Sequence, residues 1–250
     1  MATLALISFT HSDPLCRAIS GIDTVRATPS AILDGVIEGR YDYGMVSLLG
    51  YIRNMDRLSL IDSGTIHSNG KILSTILVST QLSIKKGSQV SVTAHSETTL
   101  FYAKAISERL GLDLEFIPSR FTEARDLLSE RDYALVIGDE ALKVYQSRYR
   151  ILMDIGFEFS LLFHLPPVFA VTVAGKDSVS LTINGIIDDA VRNSSLYREE
   201  SVKVNSGKLG VKDHILTEYY SLLRYGFDDS VRKSIEFVES IYSSGRRDQV

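Results

Sequence analysis

The sequence has a single cysteine, Cys16, among its 250 residues, and no tryptophan. One thiol excludes an internal disulfide and any metal site that needs several cysteines, and it is typical of proteins in a reducing compartment. No apolar run approaches the ~20 residues that a membrane-spanning helix requires. The first nine residues carry no Lys or Arg, and polar residues 10–13 interrupt the apolar stretch, so no secretory signal is predicted. We therefore expect a cytoplasmic protein.

A basic excess is also absent, because 27 Lys and Arg stand against 31 Asp and Glu, for a net charge of −4. This balance argues against a nucleic-acid partner. The histidines show no metal-ligand spacing, and the sequence has no Gly-x-Gly-x-x-Gly, no P-loop and no Gly-x-Ser-x-Gly elbow. We expect no metal, no cofactor and no membrane partner. The sequence leaves the oligomeric state open, a homodimer included.

Strand and helix patterns alternate along the chain, which is typical of an α/β protein with a mainly parallel sheet. Apolar, β-branched runs predict strands, and the stretch after residue 177 predicts helices only. The predicted strands are 3–8, 43–46, 72–79, 89–93, 114–117, 133–137 and 168–173. No linker separates them, so two lobes would be joined by strands, with one crossing near 80–90 and a return through 168–175. These crossings would divide the chain into a discontinuous lobe of 1–82 and 174–250 and a second lobe of 83–173.

Small and polar residues come directly after several predicted strands, where ligands of open α/β sheets bind. They are Ser8 and His11, then Ser47, then Ser96 with Thr98 and Thr99, then Gly138 with Asp139. Hydroxyls beside free N–H groups at a helix start suit a carboxylate, and a histidine can carry a proton near neutral pH. The alternative interpretations are helix capping at 96–99 and 138–139, and a structural role for His11.

Several longer stretches carry recognisable motifs. Residues 7–15 (Ile-Ser-Phe-Thr-His-Ser-Asp-Pro-Leu) are similar to Ile-Ser-Tyr/Phe-Leu-Asn-Thr-x-Pro-Leu, and 134–142 contain Ile-Gly-Asp-x-Ala-Leu. Further matches lie at 39–47, 66–74, 96–99, 154–156, 165–170 and 219–225. In this order the stretches resemble the chorismate dehydratases of the futalosine pathway. The chain departs from that pattern in having His11 where the family has Asn, and Phe157 or Phe159 where the family has Trp.

The resemblance implies a two-lobed, type II periplasmic-binding-protein-like α/β fold with the ligand cleft between the lobes. It implies a carbon–oxygen hydro-lyase that converts chorismate to 3-[(1-carboxyvinyl)oxy]benzoate in menaquinone biosynthesis, with a small carboxylate as substrate. Aromatisation drives this reaction, so it needs no cofactor. The resemblance assigns the site by lobe: Ser96, Thr98 and Thr99 hold one carboxylate; Ser8, His11 and Ser47 line the opposite lobe, with His11 transferring or orienting a proton; Gly138, Asp139, Pro166 and Val168 shape the wall.

Two other functions fit the same features. One is a non-catalytic cytoplasmic protein that binds or senses a small anion, because this architecture often binds its ligand unchanged. The other is the sister enzyme that makes 1,4-dihydroxy-6-naphthoate. The Ile-Gly-Asp-x-Ala-Leu motif favours the dehydratase branch over that enzyme.

Overall fold

The computed structural model of the chain describes residues 2–93, 97–176 and 181–247. Numbered along the chain, the strands of this part are β1 Thr3–Ile7, β2 Asp23–Ala27, β3 Tyr43–Ser47, β4 Leu58–Ser68, β5 Thr75–Ser79, β6 Gln89–Thr93, β7 Glu115–Ser119, β8 Tyr133–Ile137, β9 Arg150–Asp154, β10 Val168–Gly175 and β11 Leu223–Arg224. The helices are α1 Asp13–Ala18, α2 Pro29–Ile37, α3 Leu48–Arg53, α4 Glu97–Arg109, α5 Ala124–Glu130, α6 Gly138–Val144, α7 Ile155–Phe163, α8 Leu181–Asn193, α9 Arg198–Leu209, α10 Asp213–Leu222 and α11 Asp229–Arg247.

The strands form two separate mixed sheets, and the fold is α/β with two lobes. The first sheet has the order β11-β4-β10-β3-β1-β2, and the second has the order β7-β6-β8-β5-β9. In the first sheet β1 is parallel to β2 and β3, while β10 is antiparallel to β3 and β4. In the second sheet β6 is parallel to β7 and β8, while β5 is antiparallel to β8 and β9. The prediction of two sheets is therefore confirmed.

The sheets place both chain crossings earlier than the sequence predicted. β5 pairs with β8 and β9 in the second sheet, so the chain leaves the first sheet between Ser68 and Thr75 and not near 80–90. β10 pairs with β3 and β4 in the first sheet, so the return lies between Asp154 and Val168. The limits 1–82, 83–173 and 174–250 thus assign both strands to the opposite sheet. Both strands are rich in apolar and β-branched residues. Such a composition predicts a buried strand but does not indicate which strand it pairs with.

Strands with strongly apolar sequences were predicted correctly, and strands with more polar sequences were missed. The strands at 89–93 and 133–137 have the predicted bounds. The prediction omitted β2, β4, β9 and the two-residue β11. β2 is a mostly exposed edge strand of sequence Asp-Thr-Val-Arg-Ala. β4 carries Asp62 among serines and threonines, which conceals its alternation. These strands are specified by their neighbours more than by their own hydrophobicity.

Close packing of α2 on β3 brings both elements to one end of the first sheet. Pro29 occupies the first turn of α2, and the N–H of Ala31 donates to the Thr28 hydroxyl. A Cβ at Gly44 in β3 would lie 2.5 Å from Ile32 Cγ2. Only glycine therefore allows the helix to approach this closely.

Aromatic side chains connect the two sheets through one continuous core. The fully buried Tyr102 of α4 has its ring centroid 4.3 Å from that of Phe159 and 5.6 Å from that of Phe169. The ring centroids of Phe237 in α11 and Phe163 in α7 lie 5.2 Å apart. The C-terminal helix therefore packs against the return crossing.

Candidate active site

A cleft of about 570 Å³, named the central cleft, lies between the two sheets. It is lined by Ile7, Phe9, His11, Thr28, Pro29, Ser30, Leu33, Ser47, Gly50, Arg53, Asn54, Ile66, Ile72, Ser74, Thr75, Glu97, Thr98, Thr99, Ile137, Gly138, Phe169, Ala170, Tyr219 and Leu223. The carboxyl ends of β1, β3 and β8 all reach it, as expected for a ligand site in an α/β sheet.

Five of the residues selected from the sequence line this cleft together: His11, Ser47, Thr98, Thr99 and Gly138. Ser96 lies outside the described residues. Ser8, Asp139, Pro166 and Val168 do not line the cleft. Ser8 is exposed, and its N–H donates to the carbonyl of Ala27. Asp139 instead contacts the turn that carries His11.

Pro166 and Val168 fasten helices at the return crossing. The Pro166 carbonyl accepts a hydrogen bond of 2.6 Å from Ser234 of α11, and the Val168 carbonyl accepts one from the Tyr102 hydroxyl of α4. The two residues after Val168, Phe169 and Ala170, are the ones that reach the cleft.

His11 lies in the 3-10 turn Thr10–Ser12 and presents a free ring nitrogen within the described part of the chain. Its Nε2 is buried and has no hydrogen-bond partner among the described residues. Burial, reinforced by the positive charge of Arg26, lowers the pKa of His11 from its ordinary 6.5 to about 4. At neutral pH the imidazole is therefore uncharged and can accept a proton.

Three side chains form hydrogen bonds to the backbone of the turn that carries His11. The Tyr225 hydroxyl donates to the His11 carbonyl at 2.7 Å, and the Tyr220 hydroxyl donates to the Thr10 carbonyl at 3.4 Å. From the second sheet, Asp139 Oδ1 accepts a bond of 3.3 Å from the N–H of Thr10. Burial raises the pKa of Asp139 above its ordinary value. Asp139 therefore joins α6 to the turn that carries His11.

Ser47 and Thr98 both line the cleft, from the starts of α3 and α4. The Ser47 hydroxyl accepts from the N–H of Gly50 at 3.1 Å, which caps α3. The Thr98 hydroxyl accepts from the N–H of Leu49 at 3.3 Å, which links α4 to α3. Both hydroxyls keep their own proton, so each can still donate to a ligand oxygen.

Arg53 is the only Lys or Arg among the described lining residues. Its Nη1 lies 2.8 Å from Glu97 Oε1, and its Nε donates to the Tyr242 hydroxyl at 3.2 Å. The guanidinium offers positive charge to an anion in the cleft, and Glu97 opposes that charge in part.

Reasoning from the sequence missed several cleft residues that lie at or near the start of antiparallel strands. Thr75 pairs with Ile137 at the carboxyl end of β8, and Ala170 pairs with Ser47 at the carboxyl end of β3. A search confined to the residues after each strand therefore overlooks Ser74, Thr75 and Ala170. Two stretches of the family resemblance were the available signals in the sequence, since 66–74 ends at Ser74 and 165–170 ends at Ala170.

In the described ranges, no group of three or more His, Cys, Asp and Glu side chains is placed to hold a metal ion. No helix within those ranges is long and apolar enough to span a membrane.

Comparison with known proteins gives matches over nearly the whole chain. A family profile described as menaquinone biosynthesis matches residues 2–243. A chorismate dehydratase from Thermus thermophilus is 22% identical over 241 residues, with 89% of this chain and 88% of the relative covered. A protein from Archaeoglobus fulgidus superposes with a TM-score of 0.72 at 13% identity, covering 97% of each chain. The periplasmic aliphatic sulphonate binding protein SsuA from Escherichia coli also has a TM-score of 0.72 at 13% identity, covering 98% of this chain and 87% of that one. These superpositions identify the fold as that of periplasmic binding proteins.

Proposed function

The chain belongs to the menaquinone-biosynthesis family, and from that premise we propose that it dehydrates chorismate to 3-[(1-carboxyvinyl)oxy]benzoate. The observation that carries the proposal is the uncharged His11. His11 lines a cleft rich in hydroxyl groups, and its buried Nε2 has no hydrogen-bond partner among the described residues. The similarity to a chorismate dehydratase supports the choice of substrate.

The central cleft suits a small dianion in size and in polar groups. Its volume of about 570 Å³ falls in the usual range for small-molecule sites. Chorismate carries two carboxylates, and Ser47, Thr98 and Thr99 offer hydroxyl donors while Arg53 offers positive charge. The remaining lining is largely apolar, so a bound ring would be held away from bulk water.

The reaction removes a proton from one ring carbon and hydroxide from its neighbour. The electron pair of the broken C–H bond forms the new ring double bond, and the hydroxide leaves with a proton as water. We assign the proton transfer to the neutral imidazole of His11, which can accept the carbon-bound proton and return it to the leaving hydroxide. Hydrogen bonds that Tyr225 and Tyr220 donate to the turn backbone, and one that Asp139 accepts from it, hold the segment that carries the imidazole in place. Such orientation of a reacting pair lowers the barrier.

A binding-only function is the second candidate, because the same fold occurs in a sulphonate-binding protein. The carboxylate-holding groups of the cleft would serve either function. Only conversion of the ligand separates the two.

Incubation of the purified protein with chorismate, followed by ultraviolet spectroscopy and mass spectrometry, tests the proposal. We expect an aromatic product lighter by one water. His11→Ala should lose this activity, while His214→Ala, which changes an exposed histidine on α10, should keep it. Binding of chorismate without any aromatic product would overturn the dehydratase assignment in favour of the binding protein.

A further inference from the structure

Thr75, at the start of β5, has a buried hydroxyl that nothing in the described part of the chain pairs. The residue is 5% exposed, and its Oγ1 makes no hydrogen bond among the described residues. A buried hydroxyl that lacks a partner destabilises a folded protein, so nearly all such groups are paired. The Thr75 hydroxyl therefore requires an explanation.

The hydroxyls of Thr10 and Ser201 are also buried without a well-formed hydrogen bond, but each lies beside a carboxylate, Asp139 and Asp13 respectively. Four other buried hydroxyls show the ordinary arrangement, in which a backbone carbonyl accepts the bond. They are Thr65 to Gly226 at 2.7 Å, Ser68 to Gly70 at 2.6 Å, Ser79 to Asp132 at 2.7 Å and Thr172 to Gly64 at 2.6 Å. Thr75 differs from these in lining the central cleft. The missing partner thus coincides with a place where a ligand can supply it.

The position of Thr75 in the second sheet places it at the same cleft as His11. Thr75 pairs with Ile137, and the N–H of Gly138 donates to the Ser74 carbonyl at 2.7 Å, so the β5 start is held firmly at the carboxyl end of β8. His11 belongs to the first sheet and Thr75 to the second, and both line one cleft. On each side of the cleft, one lining residue thus carries a buried polar atom that no described protein group pairs.

We propose that the Thr75 hydroxyl donates a hydrogen bond to a carboxylate of the substrate, which holds the ring between the second sheet and His11. Thr75 is then a binding and specificity residue. The choice of chorismate as probe rests on the function proposed above.

Thr75→Val removes the hydroxyl and keeps the shape of the side chain. Affinity is measured by calorimetry with chorismate and, separately, with 3-[(1-carboxyvinyl)oxy]benzoate, which cannot be dehydrated further. We expect Thr75→Val to weaken binding by about 10- to 100-fold, as for a lost bond to a charged group. Its melting temperature without ligand should equal or exceed that of the wild type, because a buried hydroxyl without a protein partner is removed. Thr75→Ser keeps the donor and should retain most of the affinity.

Thr172→Val is the matched control, since it makes the same change at a buried hydroxyl that donates to Gly64. We expect it to lower the melting temperature and to leave affinity unchanged. Wild-type affinity in Thr75→Val would overturn the inference, whatever its melting temperature. A wild type that binds both compounds but does not convert chorismate defeats the dehydratase proposal alone, because the Thr75 comparison is still read from binding. A wild type that binds neither compound defeats both.

Discussion

The guanidinium of Arg53 and the carboxylate of Glu97 form a 2.8 Å ion pair that joins α3, beside the first sheet, to α4, beside the second. Both side chains are partly exposed, at 39% and 48%, so the pair contributes at most about 1 kcal/mol to stability. The bond from Leu49 to Thr98 joins the same two helices. Each of these two contacts between α3 and α4 is weak on its own.

Replacing Arg53 should impair binding of an anion more than it impairs folding. We expect Arg53→Gln to raise KM for chorismate by about 10-fold or more, because the cleft loses the charge of the guanidinium, with little change in melting temperature. Glu97→Gln breaks the same ion pair and keeps the cation, so its KM should stay equal or fall. Equal increases of KM in both variants would show that the ion pair itself, and not the charge of Arg53, supports binding.

The pH dependence of turnover should report His11. With a pKa of about 4 in the free protein, a base that acts in its neutral form gives a kcat/KM that rises through about pH 4 and then stays level. A bound dianion favours the imidazolium, so kcat should titrate at a higher pH.

Variants of His11 separate catalysis from packing. His11→Ala should lower turnover by roughly 10²–10⁴-fold, and His11→Asn, which keeps a hydrogen-bonding side chain, should differ from it. Rates measured against pH for the wild type and both variants decide the matter. If both variants keep the wild-type pH profile, the role of His11 is structural.

Acid should destabilise the protein through His67, which lies in β4 and is 5% exposed. Burial lowers its pKa from 6.5 to about 4, with Asp228 opposing the shift and Arg224 adding to it. Between these pH values the unfolded chain binds more protons than the folded one, so the free energy of unfolding falls as pH falls from about 6.5 towards 4.

The test is chemical denaturation at several pH values. His67→Gln lacks the titrating ring and should show a smaller loss of stability over this pH range, whereas His214→Gln, at an exposed position, should match the wild type. An unchanged pH dependence in His67→Gln would contradict the assignment.

Asp154 should be important for stability and not for chemistry. Its carboxylate caps α7 through the N–H of Phe157 and also accepts from Ile72 and Leu73 on the first crossing. Leu73 has φ = 65°, a left-handed conformation that a branched side chain rarely adopts. We expect Asp154→Ala to cost about 2–4 kcal/mol of unfolding free energy.

Denaturation of Asp154→Ala, with the exposed Asp213→Ala as control, measures this cost. Activity of the folded fraction should be retained. A variant as stable as the wild type would show that Leu73 and α7 need no such anchor.

The sequence predicts the parts of this molecule that rest on local pattern. Apolar runs such as 89–93 and 133–137 bury both faces, and the strand assignment follows from composition alone. His11, Ser47 and Thr98 could be predicted because they come after parallel strands. Thr75 and Ala170 could not, because their place at the cleft depends on antiparallel pairing with β8 and β3. Pairing between distant segments leaves no mark within either segment.

The order of residues along the two crossings bears on how the lobes would move. Ser74 and Thr75 end the outgoing crossing, and Phe169 and Ala170 come after the return. When two bodies rotate about a common axis, points near the axis travel least. If the crossings act as that axis, these four residues keep their relative positions in the open and the closed protein, while α3 and α4 move apart. We therefore expect a ligand to enter between α3 and α4 and to bind first to the residues beside the crossings. It should contact Arg53 and Thr98 only when the lobes close.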